Sequence, residues 1–233
     1  MRNGLYLILL MLVFISTGYS QDKVKVNYDF LLSLPDDYAG NKEAYPLVIY
    51  LHGGSHRGND LSKLKGYGLP YLVEKGEKFN FIIVSPQCPD DKYWSRENWF
   101  DSLYISLTNQ YRIDTNRIYL TGISMGGYGV FITAMDFPDK FAAIVPLCGG
   151  CNDSDMTRIC NLKDTPTWVF HGTDDDLIPI SESERIVEAL EDCNGNIKFT
   201  RLAGEGHGIQ YLYEKMPDIY DWMLQQKRKD RLN

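Results

Sequence analysis

The sequence GISMGG at residues 122–127 constrains this chain more than any other segment. It follows an apolar run at residues 117–120 that is typical of a strand, and it precedes a stretch that favours a helix. This is the G-x-S-x-G pattern, in which Ser124 occupies a tight, strained turn between the strand and the helix. Gly122 and Gly126 keep side chains out of the narrow space where the two elements nearly touch. The pattern predicts an exposed, nucleophilic serine; a glycine-rich turn with an inert serine is the alternative interpretation.

Two later segments supply partners that a serine nucleophile needs. A serine hydroxyl is activated by an imidazole that takes its proton, and the imidazole is oriented by a carboxylate. Strand-like runs at residues 167–170 and 198–202 lead into the loops HGTDDDLIP at residues 171–179 and GEGHG at residues 204–208. Loops at the carboxyl ends of strands are where a doubly wound sheet places its site. The order serine, acid, histidine along the chain is the one expected for a serine hydrolase built on such a sheet.

Taken together, these segments resemble the α/β-hydrolases. Within them they are similar to feruloyl and acetylxylan esterases, to phospholipase/carboxylesterase-like proteins and to the group named "predicted peptidases". The matching segments lie at residues 51–54, 57–60, 122–129, 141–146, 171–179 and 206–207. The resemblance implies an α/β-hydrolase fold with a mostly parallel, twisted sheet and helices on both faces.

The resemblance also implies which aspartate is the acid. The family pattern after this strand is H-G-x-x-D-x-x-[VI]-P, and counting from His171 places the acid on Asp175. Asp176 is then an ordinary loop residue, and Asp174 stays the alternative acid.

The general base is expected at His207. It is the histidine that follows the acid, and Gly206 and Gly208 on either side allow a sharply bent loop. His52 and His171 each precede a glycine at a strand end, where the resemblance implies that the ring braces the loop.

Two backbone N–H groups are expected to form an oxyanion hole. One is the amide of Met125, which follows the nucleophile at the start of a helix. The other comes from the loop after the strand at residues 45–51, where the resemblance implies Gly54, with Ser55 as the alternative.

Substrate contacts are less well defined by the sequence. The loop at residues 87–99 carries Tyr93, Trp94 and Trp99, which are either a platform for a sugar ring or a feruloyl group or anchors of the next helix in the core. His56 lies in a polar loop, as a substrate contact or as an exposed loop residue.

Strand-like and helical segments alternate along the chain, which favours a parallel sheet covered on both faces. Further strands are predicted at residues 24–34, 79–85 and 141–146, and the early stretch at residues 24–35 is expected to form an antiparallel edge. Helices are predicted at residues 61–76, 99–112, 124–136, 181–193 and 211–227. The segment between the strands at residues 141–146 and 167–170 is too short for a sizeable cap, so we expect an open cleft.

The first residues predict export. Arg2 precedes an apolar run at residues 5–15, and small residues at 18–20 suit cleavage after Ser20. We therefore expect a signal peptide at residues 1–20 and a single catalytic domain at residues 21–233, in the periplasm or the extracellular medium. The apolar run is short for a membrane anchor, so no stable membrane insertion is expected after cleavage.

Five cysteines follow the leader: Cys88, Cys148, Cys151, Cys160 and Cys193. In an oxidising compartment some of them could pair, and a bond between Cys151 and Cys160 would close a short loop. An odd number leaves at least one thiol free or intermolecular. A redox role for Cys148 with Cys151 is a further possibility, and nothing in their spacing favours zinc.

Charge and composition limit the function. A net charge of −7 argues against nucleic-acid binding, and the basic run at residues 227–229 is interpreted as the solvated end of a helix. With 44% hydrophobic residues the chain can bury one sizeable core.

The sequence thus predicts an exported serine hydrolase that cleaves carboxylic esters through an acyl-enzyme and needs no metal or organic cofactor. Its expected substrate is an acylated carbohydrate of the feruloyl or acetyl type, or another short-chain ester. A serine peptidase with the same triad is the alternative among enzymes. A non-catalytic binding protein on the same scaffold is the alternative outside enzymes.

Overall fold

The computed structural model describes residues 28–94 and 99–228, so the expected leader at residues 1–20 lies outside the described residues. In the described part of the chain, seven strands form one sheet in the order β1-β3-β2-β4-β5-β6-β7. The strands are β1 (Phe30–Ser33), β2 (Tyr45–Leu51), β3 (Ile82–Pro86), β4 (Ile113–Ile123), β5 (Ala143–Leu147), β6 (Thr167–Gly172) and β7 (Ile197–Leu202). β1 runs antiparallel to β3 at the edge of the sheet, as predicted, and the other neighbouring strands run parallel.

The helices lie on both faces of this sheet. They are α1 (Gly68–Glu74), α2 (Trp99–Gln110), α3 (Met125–Asp136), α4 (Asp153–Met156), α5 (Ser181–Asp192), α6 (Leu212–Lys215) and α7 (Asp218–Gln225). Alternate residues of β2 point to opposite faces, because successive side chains of a strand alternate. Leu47 and Ile49 belong to a core cluster with α2, α3 and α5, whereas Val48 and Tyr50 belong to one with α1 and α7. The predicted fold class is confirmed.

The predicted absence of a sizeable cap is also confirmed. Between β5 and β6 the chain forms only the four-residue helix α4 and a short 3₁₀ turn, Ile159–Leu162. The carboxyl ends of the central strands are therefore not covered by an inserted domain.

Two predicted helices differ from the structure. The helix expected at residues 61–76 consists of a 3₁₀ turn, Leu61–Gly66, followed by α1. The helix expected at residues 211–227 is broken into α6 and α7, because Pro217 has no N–H to donate and disfavours helical conformation in the residue before it.

The interpretation of the basic run as a helix end is wrong for Arg228. α7 ends at Gln225, and the guanidinium of Arg228 donates to the carbonyl of Asp139 and to the side-chain oxygen of Asn116. This cation fixes the chain after α7 onto β4 and onto the loop between α3 and β5.

The suggested disulfide is corrected by the structure. Cys160 pairs with Cys193, not with Cys151, and so connects the 3₁₀ turn after α4 to the end of α5. Cys148 and Cys151 are buried free thiols, and Cys88 is buried as well. Within residues 28–94 and 99–228, no helix has the length and apolarity needed to cross a bilayer.

Candidate active site

Ser124 occupies the turn between β4 and α3. β4 ends at Ile123 and α3 begins at Met125, so the turn consists of a single residue. Its backbone angles, φ 58° and ψ −122°, are rare for a residue with a side chain and imply local strain. The turn is held from both sides: the Ser124 N–H donates to Leu147 at 2.9 Å, and its carbonyl accepts from Tyr128 at 3.0 Å. The serine side chain is thereby aimed off the end of β4.

The glycines around Ser124 are required by close backbone contacts. A Cβ atom on Gly126 would lie 2.1 Å from the carbonyl oxygen of Leu51, and one on Gly122 would lie 2.7 Å from the same atom. Both distances are far below van der Waals contact. The sequence-based reason for these two glycines is confirmed.

His207 connects Ser124 to Asp175. Its Nδ1 lies 2.8 Å from Oδ2 of Asp175, and its Nε2 lies 2.9 Å from Oγ of Ser124. An ionised carboxylate can only accept, so Nδ1 carries the proton and Nε2 accepts from the serine hydroxyl. We call these three residues the serine–histidine–acid chain; its geometry allows the imidazole to take the serine proton.

Asp175 is held as an oriented, ionised carboxylate. It is 8% exposed, and its Oδ1 accepts N–H groups of Leu177 at 3.0 Å and Ile178 at 2.8 Å. Burial alone would raise the pKa of Asp175, but the hydrogen bonds from Ile178, His207 and Leu177 outweigh it and lower the pKa. Asp174, the alternative acid, is exposed and accepts from the hydroxyl of Thr173. The structure brings Asp175, not Asp174, to His207.

His171 supports the loop that carries Asp175. It is fully buried, with Nδ1 2.7 Å from Oγ of Ser183 and Nε2 2.8 Å from the carbonyl oxygen of Ile178. The same Nε2 lies 3.2 Å from Oδ2 of Asp175. Next to a carbonyl and a carboxylate, Nε2 must carry a proton.

His52 supports the loop after β2. Its Nε2 accepts the N–H of Cys88 at 3.0 Å, so its Nδ1 is the donor to the carbonyl of Gly53 at 2.7 Å. Burial lowers the pKa of His52 to about 4, which keeps the ring neutral. Neither His52 nor His171 contacts Ser124 in the described hydrogen bonds.

The two expected oxyanion donors lie beside Ser124. Met125 is the first residue of α3, where backbone N–H groups have no partner within the helix. Gly54 begins a 3₁₀ turn, Gly54–His56, and a Cβ on the preceding Gly53 would lie 3.6 Å from Cβ of Ser124. Within residues 28–94 and 99–228, neither the Met125 amide nor the Gly54 amide has a hydrogen-bond acceptor. Both amides are available to a ligand.

A cavity of about 530 Å³ opens beside Ser124. It is lined by Tyr93, Trp94, Ser124, Met125, Tyr128, Ile132, Asn152 and Ile178. Four of these lining residues were not expected from the sequence: Tyr128, Ile132, Asn152 and Ile178. Two of them could have been predicted from helix periodicity. Tyr128 and Ile132 come four and eight residues after Ser124, so they lie near the same face of α3. Asn152 and Ile178 have no comparable local signal.

The predicted substrate contacts have different environments. Tyr93 is 62% exposed at the cavity rim, with the guanidinium of Arg57 over its ring at 4.7 Å. Trp94 is 2% exposed and donates its indole N–H to the carbonyl of His52, but part of it lines the cavity.

The platform role proposed for Trp99 is wrong, since Trp99 is 2% exposed and does not line this cavity. It stacks on Tyr28 and packs against Phe100 in the core. His56 is half-buried and stacks on Tyr67 at 4.6 Å, and it does not line the cavity either.

One group of potential metal ligands lies in this region. Among the described residues, Cys148, His171 and Asp175 offer ligand atoms within 4.8 Å of one another. Nε2 of His171 and Oδ2 of Asp175 are already engaged in hydrogen bonds with Ile178 and His207. The arrangement therefore has a structural purpose without an ion.

Comparison with known proteins identifies similar chains. The bifunctional acetylxylan esterase/xylanase of Neocallimastix patriciarum is 30% identical over 170 residues, which cover 70% of this chain and 24% of that protein. The acetylxylan esterase A of Emericella nidulans is 26% identical over 146 residues, 54% of this chain and 44% of that protein. The chain thus spans less than half the length of these relatives.

A solved structure and a family profile also match the chain. The crystal structure of a thermostable esterase superimposes with a TM-score of 0.69 at 32% identity, covering 85% of this chain and 59% of that one. The profile of the phospholipase/carboxylesterase family matches residues 98–225, more than half of the 233 residues, and this range contains Ser124, Asp175 and His207. The protein therefore belongs to the phospholipase/carboxylesterase family of α/β-hydrolases.

Proposed function

We propose that this protein is a serine esterase that hydrolyses carboxylic esters through an acyl-enzyme on Ser124. The observation that carries the proposal is the serine–histidine–acid chain, with contacts of 2.9 Å and 2.8 Å at the two nitrogens of His207. Two unpaired backbone amides beside the nucleophile add the means to hold an oxyanion.

The acylation step follows from this geometry. His207 Nε2 takes the proton of the Ser124 hydroxyl while its oxygen attacks the ester carbonyl. The amides of Gly54 and Met125 donate to the oxygen that becomes negative. As the tetrahedral intermediate collapses, the imidazolium gives its proton to the leaving alcohol, and Ser124 keeps the acyl group.

Deacylation reverses the roles with water in place of the alcohol. His207 Nε2 takes a proton from water, whose oxygen attacks the acyl carbon, and then returns the proton to Ser124 as the carboxylic acid leaves. Asp175 stays ionised and orients the ring throughout, which its lowered pKa supports.

The cavity beside Ser124 supports an aromatic acyl group. Its volume of about 530 Å³ is much larger than an acetyl group needs, and side chains such as Tyr93, Tyr128 and Ile132 give it apolar walls. We therefore assign the cavity to a feruloyl-type acyl group. The similarity to acetylxylan esterases supports a carbohydrate as the alcohol.

The alcohol belongs on the side of His207, because this residue must protonate the leaving oxygen. A second groove of about 200 Å³ is lined by Tyr67, Tyr71, Gln210 and Tyr211 among others, and the last two belong to the 3₁₀ turn that begins two residues after His207. Tyr67 reaches towards the nucleophile, since its hydroxyl lies 3.9 Å from a Cβ placed on Gly53. Phenol rings with polar tips suit the faces and hydroxyls of a sugar.

Export is part of the proposal and depends on the leader expected at residues 1–20. The disulfide between Cys160 and Cys193 supports an oxidising compartment, where such bonds persist. Export places the protein in the periplasm or in the extracellular medium.

A fluorophosphonate probe tests the nucleophile. We expect wild-type protein to be labelled at Ser124, and the Ser124→Ala variant, with the same melting temperature, to be unlabelled. Folded wild-type protein that takes no label would support the non-catalytic alternative and overturn the proposal.

Matched substrates test the reaction and the acyl group. We expect hydrolysis of p-nitrophenyl esters and little hydrolysis of the corresponding anilides, with a higher kcat/KM for feruloyl than for acetyl esters of the same sugar. Faster hydrolysis of the anilides would favour a peptidase. Equal rates for the two acyl groups would contradict the assignment of the cavity.

A further inference from the structure

Cys148 lies at a point where the loops of the serine–histidine–acid chain meet. It follows β5 directly, and the residue before it, Leu147, accepts the Ser124 N–H at 2.9 Å. Its own Sγ lies 3.6 Å from the carbonyl oxygen of His207. The end of β5 therefore contacts the nucleophile turn through its backbone and the histidine loop through a thiol.

The same thiol faces the acid. Sγ of Cys148, a ring nitrogen of His171 and a carboxylate oxygen of Asp175 lie within 4.8 Å of one another. The thiol is fully buried, and its single S–H is shared between the carbonyl of His207 and the carboxylate of Asp175, because both of these groups can only accept. Burial, with the charge of Asp175, raises the pKa of the Cys148 thiol well above its usual range, so the S–H is retained.

The backbone conformation at Cys148 is unfavourable for a residue with a side chain. Its φ is +45°, in the left-handed region, and its N–H donates to Phe170 at 2.9 Å. Glycine adopts this conformation without strain, and two glycines, Gly149 and Gly150, follow immediately. A cysteine at such a position implies that the thiol has a use that a glycine would not serve.

We propose that Cys148 is a positioning residue, whose S–H fixes the Asp175 carboxylate and the His207 loop relative to Ser124. This inference depends on the proposed function of the serine–histidine–acid chain. Cys148 acts through Asp175 and contacts no substrate.

Two other roles for this cysteine fit the structure less well. A nucleophile or redox thiol must be ionised and reachable, whereas this one is protonated and buried. A metal on Cys148, His171 and Asp175 would compete with the hydrogen bonds that His207 donates to Asp175 and His171 donates to Ile178.

Three variants separate positioning from simple packing. Cys148→Ala removes the donor, and Cys148→Ser keeps a donor at the same place. Cys151→Ala is the matched control, because Cys151 is also a buried free thiol, but its Sγ contacts Met156 at 3.2 Å instead of the acid. Melting temperature and the kinetics of one good ester substrate are measured for each variant.

We expect Cys148→Ala to lower kcat by about 10- to 100-fold with little change in KM, as a small displacement of a catalytic group does. Cys148→Ser should recover most of this loss. Cys151→Ala should keep wild-type kcat.

The pH profile gives a readout that packing would not change. Without the S–H donor, more of the negative charge of the Asp175 carboxylate acts on His207 and stabilises its imidazolium form. The acid limb, which is the rise of kcat/KM with pH, should therefore move to higher pH in Cys148→Ala. The serine variant should keep the wild-type limb. The other titratable groups that face Cys148 or Asp175 are His171, Tyr67, Tyr213 and Tyr128, and burial raises the pKa of all three tyrosines, so they stay neutral.

A proton NMR signal makes the test independent of turnover. The proton between His207 Nδ1 and Asp175 resonates far downfield, and it should shift in Cys148→Ala but not in Cys151→Ala.

If the wild type hydrolyses no ester, the proposed function fails while this comparison still decides the role of Cys148. Equal kcat, equal acid limbs and an unshifted proton in the two alanine variants would overturn the inference. If Cys148→Ala does not fold, a serine variant as inactive as Ser124→Ala would overturn it as well.

Discussion

Oδ2 of Asp175 lies 2.8 Å from Nδ1 of His207, while Oδ1 of the same carboxylate accepts two backbone N–H groups of its own loop. One oxygen is thus fixed by the backbone so that the other can orient the imidazole. The acid therefore has a single geometry, and its neighbour Asp174 cannot replace it.

Asp175→Asn should lower kcat by about 10⁴-fold, because an amide can donate to Nδ1 and stabilise the wrong tautomer of His207. Asp174→Asn, at an exposed position, should stay within about twofold of wild type. Ester hydrolysis and melting temperature of both variants check this. A severe loss in Asp174→Asn with normal turnover in Asp175→Asn would reverse the assignment.

Ser124→Ala and His207→Ala should each abolish nearly all turnover without unfolding the protein. Because the residues act as a unit, the double variant should lose little more activity than either single variant. Steady-state kinetics of the three proteins test this. If the fold-loss in the double variant equalled the product of the two single-variant losses, the two residues would act independently.

Gly126→Ala should destabilise the fold by about 3 kcal/mol or more, since the added methyl would meet the backbone of β2. Gly66→Ala is the matched control, because a Cβ there has no atom within 4 Å. Urea unfolding of both variants measures the difference. Equal stabilities would show that the nucleophile turn can shift more easily than its contacts indicate.

The nucleophile turn and the acid loop could be predicted from the sequence because their geometry is local. A one-residue turn needs glycines at fixed positions, and the spacing from His171 to Asp175 is set within one loop. The pairing of Cys160 with Cys193 spans 33 residues and arises only when β6 and α5 are packed, so no local pattern indicated it. The choice between platform and core for Trp99 needed the fold for a similar reason, as its neighbour Tyr28 comes from a distant part of the chain.

Trp99 and Tyr93 should respond differently to truncation. Trp99→Ala should cost about 3–5 kcal/mol of stability and impair all substrates alike, as expected of a buried tryptophan. Tyr93→Ala, at the exposed rim, should keep the melting temperature and raise KM for feruloyl esters while leaving acetate ester turnover nearly unchanged. Tyr93→Phe is the control that keeps the ring. A uniform loss in Tyr93→Ala would remove the tyrosine from the acyl site.

Acidification should weaken the fold through His52. Burial lowers the pKa of His52 from 6.5 to about 4, so between these values the unfolded chain binds a proton that the folded protein does not. Stability therefore falls as the pH drops from about 6.5 to 4, by a contribution of about 3 kcal/mol from this residue. The lowered pKa of Asp175 acts in a separate window, below its ordinary value of 3.8.

His52→Gln tests this contribution, because glutamine does not titrate and can still offer an oxygen to the N–H of Cys88. The comparison is the slope of unfolding free energy against pH, from urea titrations between pH 7 and pH 4, and not the absolute stability. Carboxylates contribute equally to both proteins, so the variant should show the shallower slope. Parallel slopes would mean that His52 is protonated in the folded state over this range, and that burial is not what determines its charge.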